Sequence, residues 1–114
     1  MSRIDDNRSQ AIDQLFRGIL TLRDVGECYQ FFGDLFTVQE LAVFAQRFQV
    51  AQLLAEGNTY DGVREKVPTS YSTITRINTE LHYGSGGYRM VLERLKPEKE
   101  HEALQQSLRN LPFT

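Results

Sequence analysis

A chain of 114 residues, with 40% hydrophobic and 25% charged residues, has the size and composition of one ordinary globular domain. Its formal net charge of −2 does not by itself favour nucleic acid as a partner, and no apolar run is long enough to cross a membrane. The single cysteine cannot form an internal disulfide, and with the polar N-terminus it predicts a cytoplasmic protein. One cysteine and two histidines lack the spacing of a zinc site, so no metal is expected.

Hydrophobic periodicity predicts helices along most of the chain and no strands. Residues 1–10 are polar and are expected to form a disordered N-terminal arm. Apolar side chains then recur at helical spacing from Ala11 to Leu20, which predicts a first helix. Asp24 and Glu27 have the spacing of a capping box, so a second helix is predicted to follow. The residues predicted to form its buried face are Val25, Cys28, Tyr29, Phe32, Leu35 and Phe36.

The third helix is predicted to be the longest, and both of its ends carry signals. Thr37 and Glu40 match the hydroxyl-x-x-Glu capping box at its start. Gly57 suits its end, because glycine adopts the left-handed conformation at little cost. Apolar positions cover more than one face of this helix, which indicates burial on two sides.

Segment 58–83 has the pattern of a helix-turn-helix. A short helix over 60–67 is predicted to end at Pro68, since residues before proline avoid the helical conformation. A second helix is predicted from the N-cap Ser70 to His82. Its inward stripe is Ile74, Ile77 and Leu81. A helix with one apolar face and one polar face is what entry into the major groove of DNA requires.

The polar face of this second helix is the predicted DNA-binding surface. Hydroxyl residues are poor helix formers, so their clustering on an exposed face favours DNA contact over ordinary surface. The predicted DNA-binding residues are Arg64, Tyr71, Ser72, Thr73, Thr75, Arg76 and Thr79. Basic and acidic side chains cancel within segment 58–83, so one copy neutralises few phosphates and two copies acting together are favoured.

Two of these residues have open alternatives. Tyr71 is expected to contact a base or a phosphate, or to pack against Pro68. Arg76 is expected to contact phosphate, to line a pocket, or to pair with Glu80 one helical turn away. Downstream, Arg89 is either a further phosphate contact or solvated surface charge.

Beyond the helix-turn-helix, a sixth helix is predicted to reach Pro97, and the tail 97–114 carries an apolar stripe that suits a seventh. The buried positions predicted for the sixth helix are Tyr88, Val91, Leu92 and Leu95. The first three helices offer more apolar surface than a chain of this length can cover, so a homodimer is expected.

From about Ala11 to Lys96 the chain resembles the Trp repressor family, and within it the YerC/YecD-like branch. The matching residues are 27–32 (ECYQFF), 36–37 (FT), 46–47 (QR), 56–60 (EGNTY), 72–76 (STITR) and 83–84 (YG). The resemblance implies one Trp repressor-like DNA-binding and dimerisation domain over 11–96, all-α, with six or seven helices in an intertwined homodimer. It also implies sequence-specific binding to double-stranded DNA and transcriptional regulation, with repression as the expected direction.

The resemblance further implies an effector pocket. In the family a threonine and two arginines enclose the corepressor, and these match Thr37, Arg47 and Arg76. Guanidinium groups suit this role because they stack on rings and pair with carboxylates. Two positions depart from the family: a glycine is replaced by Ile77, and a serine that receives the ligand's amino group is replaced by Glu80. We therefore expect a small-molecule corepressor other than tryptophan, or none, and no other cofactor.

Two other classes of function compete with this interpretation. A protein-interaction module that kept the fold without operator or corepressor binding is favoured by the neutral charge of segment 58–83. An enzyme is not expected, because the sequence offers no nucleophile–base pair, metal cluster or phosphate-binding glycine loop.

Overall fold

A computed structural model describes residues 9–96 and Arg109, and this part of the chain is entirely helical apart from its turns. The helices are α1 (Gln10–Ile19), α2 (Val25–Leu35), α3 (Val38–Ala55), α4 (Tyr60–Lys66), α5 (Tyr71–Tyr83) and α6, which covers 87–96. The predicted all-α class with six helices is confirmed over these residues. Residues 1–8 of the predicted arm lie outside them, and so does the predicted seventh helix apart from Arg109, which is helical. None of the described helices is both long and apolar enough to span a bilayer.

Side-chain caps begin the central helices where the sequence predicts them. At α3 the Thr37 hydroxyl accepts from the Glu40 N–H over 3.1 Å, and the Glu40 carboxylate accepts from the Thr37 N–H over 2.8 Å. Ser70 accepts from the Thr73 N–H over 3.2 Å at the start of α5. At the other end of α3, Gly57 has a φ of 93°, the left-handed conformation that glycine adopts cheaply. These local signals fix the lengths of the helices that carry the candidate site.

The starts of α1 and α2 differ in detail from the predictions. The Ser9 hydroxyl accepts a hydrogen bond from the Ile12 N–H, so helix α1 begins at Gln10. Gln10, the last residue of the predicted arm, therefore belongs to the helix. At α2, Asp24 caps the Glu27 N–H over 2.8 Å as predicted. The Glu27 carboxylate, however, accepts from the N–H of Arg23, one residue before the cap. The Glu27 side chain thus bonds the residue before the N-cap and not the N-cap Asp24 itself, so only one of the two bonds of the predicted capping box forms.

The hydrophobic core lies where α3, α4 and α5 meet. Its buried residues are Val50, Ala51, Val63, Val67, Ile74, Ile77 and Leu81. This confirms the inward stripe predicted for α5, and Tyr88 and Leu92 pack onto the same core from α6. Burial of a side chain such as Ile74 contributes about 1.5–3 kcal/mol, so the docking of α5 rests on this stripe. The predicted burial of Val91 is wrong, because its side chain is 41% exposed.

The first two helices and the start of α3 lie outside this core. Val25 and Tyr29 in α2 are 71% and 72% exposed, and Val38 in α3 is 86% exposed. The prediction that α2 buries Val25 and Tyr29 is therefore wrong for the single chain. An edge-to-face contact of 5.2 Å between the rings of Phe36 and Phe44 joins the end of α2 to α3. It leaves most of the apolar surface of the N-terminal helices open.

Candidate nucleic-acid interface and effector groove

Helices α4 and α5 form a helix-turn-helix that is fixed to the long helix behind it. Pro68 ends α4, and the turn 67–70 leads to the N-cap of α5. The side-chain amide of Gln46 in α3 donates a hydrogen bond to the carbonyl oxygen of Pro68 over 2.7 Å. This bond joins residues far apart in sequence, so the turn is held both by the core beneath it and by α3.

Helix α5 presents its polar face to solvent, as a recognition helix must. Ser72, Thr75, Arg76 and Thr79 are exposed, and Thr73 is partly buried. The opposite face holds the buried stripe of Ile74, Ile77 and Leu81. Most of the predicted DNA-binding residues of this helix therefore lie together on one accessible surface, with the spacing of a helix face.

Several hydroxyls on this surface are already engaged locally. Thr79 donates to the carbonyl oxygen of Thr75 over 2.9 Å. The hydroxyl of Ser70 lies 3.1 Å from that of Ser72 and donates to the hydroxyl of Thr73 over 3.0 Å. A hydroxyl both donates and accepts, so these groups keep capacity for a partner while their orientation is set by their neighbours.

Arg64 and Tyr71 contact each other across the turn. The guanidinium carbon of Arg64 lies 4.3 Å from the centre of the Tyr71 ring, and Arg64 Nε donates to the Thr69 carbonyl oxygen over 3.3 Å. The Tyr71 hydroxyl donates to the carboxylate of Asp61. Asp61 was not a predicted site residue, and helical periodicity carries no signal that would have found it.

The C-terminal end of α5 is capped by α6. Arg89 donates from Nε to the carbonyl oxygen of Leu81 over 2.9 Å and from Nη2 to that of His82 over 3.2 Å. The final carbonyls of a helix have no partner within it, so an arginine there supplies the missing donors. Neither alternative considered for Arg89, a phosphate contact or solvated surface charge, describes this role.

A groove of about 760 Å³ lies beside the recognition helix. It is bounded by residues of α3, α5 and α6 and by the turn between the last two: Val43, Gln46, Arg47, Phe48, Thr73, Arg76, Ile77, Glu80, Ser85, Gly87, Tyr88, Met90 and Val91. Three of the predicted effector residues, Arg47, Arg76 and Glu80, meet there. The fourth, Thr37, is not among the lining residues, and its hydroxyl serves the capping box of α3.

The charges in and near the groove are of both signs. Arg47 lies with its guanidinium carbon 5.7 Å from the centre of the Phe44 ring, which leaves its charge close to an aromatic face. Ile77 is at once a core residue and a lining residue, so its side chain takes up space on this side of α5. Over the described residues there is no cluster of three side chains suited to a metal ion.

A short helix, a tight turn and an exposed recognition helix on an all-α core define the class of helix-turn-helix DNA-binding proteins. The family model described as Trp repressor protein matches residues 10–96. The chain therefore belongs to the Trp repressor family, which is a family of DNA-binding regulators and not of enzymes.

Relatives from three bacteria share this domain over nearly its whole length. The uncharacterized protein YerC of Bacillus subtilis is 46% identical over 101 residues, which cover 89% of this chain and 96% of YerC. The crystal structure of a candidate Trp repressor from Staphylococcus aureus matches with a TM-score of 0.79 and 41% identity, covering 83% of this chain and 95% of that one. A TrpR-like protein from Eubacterium eligens matches with a TM-score of 0.76 and 45% identity, covering 80% and 94%.

Proposed function

We propose that this protein is a sequence-specific DNA-binding transcriptional regulator that acts as a homodimer and represses the promoters it occupies. The observation that carries the proposal is the placement of α5: it is docked by Ile74, Ile77 and Leu81 and exposes Ser72, Thr75 and Arg76. A helix held in this way enters the major groove without giving up its core contacts. Family membership supports the same function, and the direction of control comes from the family alone.

The homodimer is supported by the open surface of the N-terminal helices. Large apolar side chains are exposed along α1, α2 and the first half of α3: Phe16, Leu20, Val25, Tyr29, Leu35, Val38, Val43 and Phe44. A monomer rarely leaves so much apolar surface in contact with water, and a symmetric pair covers it. Two copies would also present two recognition helices about 34 Å apart, one turn of DNA, and compensate for the neutral charge of each helix-turn-helix.

We extend the proposal to the groove, which we infer to accept a small molecule other than tryptophan. Arg47 and Arg76 suit an anionic group of such a ligand, and Glu80 suits a cationic one. Ile77 narrows the side of the groove formed by α5, where the family's glycine permits close approach. Because Arg76 belongs both to the groove and to the exposed face of α5, a bound ligand would alter the DNA-binding surface directly.

Selection from a genomic DNA library tests this function. The purified protein is mixed with genomic fragments, with and without a panel of amino acids, and the retained fragments are sequenced. We expect enrichment of a few fragments that share a two-fold symmetric motif, since a symmetric dimer favours a symmetric site. Uniform, weak retention would contradict the proposal, and a stable protein partner together with absent DNA binding would favour the interaction module instead. An identical set of fragments with every additive would contradict an amino acid as the effector.

A further inference from the structure

Three side chains form a cluster at the junction of α4 and α5: Asp61, Arg64 and Tyr71, here called the Tyr71 cluster. The phenol of Tyr71 has its hydroxyl on the Asp61 carboxylate and its ring face under the Arg64 guanidinium, 4.3 Å away. Both groups by which a tyrosine at the start of a recognition helix would contact DNA are therefore already engaged. Tyr71 is better suited to hold a neighbour than to contact a base.

The neighbour that it holds is Arg64. One guanidinium nitrogen, Nε, donates to the Thr69 carbonyl oxygen over 3.3 Å, while the ring of Tyr71 covers one face of the group. These two contacts do not use the terminal nitrogens of Arg64, which have no hydrogen-bond partner among the described residues. An arginine that is oriented in advance loses less entropy when it binds a phosphate than one that moves freely.

Asp61 has a place in this arrangement that its charge alone does not explain. A carboxylate next to the DNA-binding surface repels phosphate, so an acid here weakens DNA binding unless it does something else. The structure shows what else it does: it accepts the Tyr71 hydroxyl and so fixes the ring on which Arg64 lies. The cluster joins α4 to α5 through side chains as well as through the turn.

We propose that Tyr71 and Asp61 are positioning residues that orient Arg64 toward a phosphate of the DNA backbone, and that Tyr71 does not itself contact the bases. This proposal rests on the DNA-binding function proposed above. If Tyr71 acts through Arg64, replacing Tyr71 weakens DNA binding by disabling the charge of Arg64. The dependence of DNA affinity on salt concentration should then change as if a charge had been removed.

The test measures the affinity for a labelled duplex of mixed sequence, several helical turns long, over a series of salt concentrations. The logarithm of affinity falls with the logarithm of salt by about 0.9 for each phosphate that a protein neutralises. We expect Arg64→Gln to lower this slope by about 0.9 for each copy that contacts DNA. We expect Tyr71→Leu to lower it by a similar amount although no charge is removed, and to add little in the Arg64→Gln background.

The direction in which Asp61→Ala changes DNA affinity is an independent test of the cluster. If Asp61 were only a surface acid, its removal would tighten DNA binding. The Tyr71 cluster predicts weaker binding instead, several-fold at moderate salt, because Arg64 loses its orientation. The matched control is Tyr83→Leu, since Tyr83 is 87% exposed at the far end of α5 and should leave the slope unchanged.

A readout without DNA separates the two proposals. In NMR spectra the Nε–H resonance of Arg64 should be shifted by the Tyr71 ring and return toward the usual arginine position in Tyr71→Leu. Wild-type protein that shows this shift but binds no duplex at low salt would overturn the DNA-binding function. The positioning role alone would be overturned if the wild-type protein binds the duplex and Tyr71→Leu keeps the full salt slope. It would also be overturned if the wild-type protein binds the duplex and Asp61→Ala binds as tightly as the wild type or more tightly.

Discussion

The backbone N–H of Gly84 donates a hydrogen bond to the carbonyl oxygen of Glu80 over 2.9 Å, and this closeness excludes any side chain at Gly84. A Cβ atom built there would lie 2.4 Å from the same oxygen, well inside the closest contact that such atoms make. The recognition helix therefore ends at a residue where only glycine fits. Its last carbonyls are those that Arg89 caps, so the end of α5 depends on both residues.

We expect Gly84→Ala to destabilise the fold by about 1–3 kcal/mol, because the added methyl group forces the end of α5 to move. The measurement is the free energy of unfolding in denaturant at fixed protein concentration. Gly87→Ala is the matched control: the nearest atom to a Cβ at that position is the Ser85 hydroxyl oxygen at 3.9 Å, an ordinary contact, so alanine should not destabilise the fold. Equal effects of the two substitutions would contradict the steric argument.

Substitutions on the exposed face of α5 should separate DNA binding from folding. Thr75→Ala and Arg76→Ala remove exposed side chains and no core contact, so we expect the helical content and association state to stay at wild-type values. Affinity for a selected DNA fragment should fall, by about 1–3 kcal/mol if Arg76 contacts a base edge. Gel-shift titration at fixed salt measures this, with Gln49→Ala, at an exposed position of α3, as the control. Full affinity in both variants would remove α5 as the recognition helix.

Charges on the open face of α2 should weaken the proposed dimer. Val25 and Tyr29 are one helical turn apart and exposed, so the double substitution Val25→Glu with Tyr29→Glu places two carboxylates on the apolar surface. We expect the dissociation constant of the dimer to rise at least tenfold, or about 1.4 kcal/mol, in sedimentation equilibrium. Tyr83→Glu, outside this surface, is the control. A dimer that tolerates the double substitution would place the interface elsewhere.

Acid should weaken the capping box at the start of α3. The backbone N–H of Thr37, and then its hydroxyl, hold the pKa of Glu40 below its usual value. A carboxyl whose pKa is lowered on folding stabilises the fold fully above its unfolded pKa, and that contribution disappears as pH falls through the lowered folded pKa.

Denaturant midpoints followed from neutral to acidic pH should therefore fall less steeply in Glu40→Gln than in the wild type, because glutamine keeps an acceptor but does not titrate. Glu65→Gln controls for the loss of one exposed carboxylate. A wild-type profile that coincides with that of Glu40→Gln would show that the capping bond does not contribute in solution.

Local features of the fold follow from the sequence, and contacts across turns do not. Thr37, Ser70 and Gly57 act within a few residues of themselves, so hydroxyl and glycine positions predict the helix boundaries. Periodicity likewise predicts which face of a helix is apolar. It cannot predict what covers that face. Periodicity marked Val25 and Tyr29 as buried, and in the single chain nothing covers them.

The candidate site shows the same division. The exposed face of α5 was predictable because it is the complement of the buried stripe. The Tyr71 hydroxyl bond to Asp61 and the Arg89 cap of α5 depend on where two helices sit relative to each other, and on side-chain rotamers that no sequence pattern records. The meeting of Arg47, Arg76 and Glu80 in one groove was predicted from the family resemblance, not from periodicity.

Gln46 faces two neighbours at once. Its side chain lines the groove, and its amide nitrogen is the donor that restrains Pro68. A molecule in the groove that accepted a hydrogen bond from that amide would remove this contact between α3 and the turn, and the turn would then be held by the core alone. On the function proposed above, Gln46 is therefore a direct physical connection between the effector groove and the turn that orients α5.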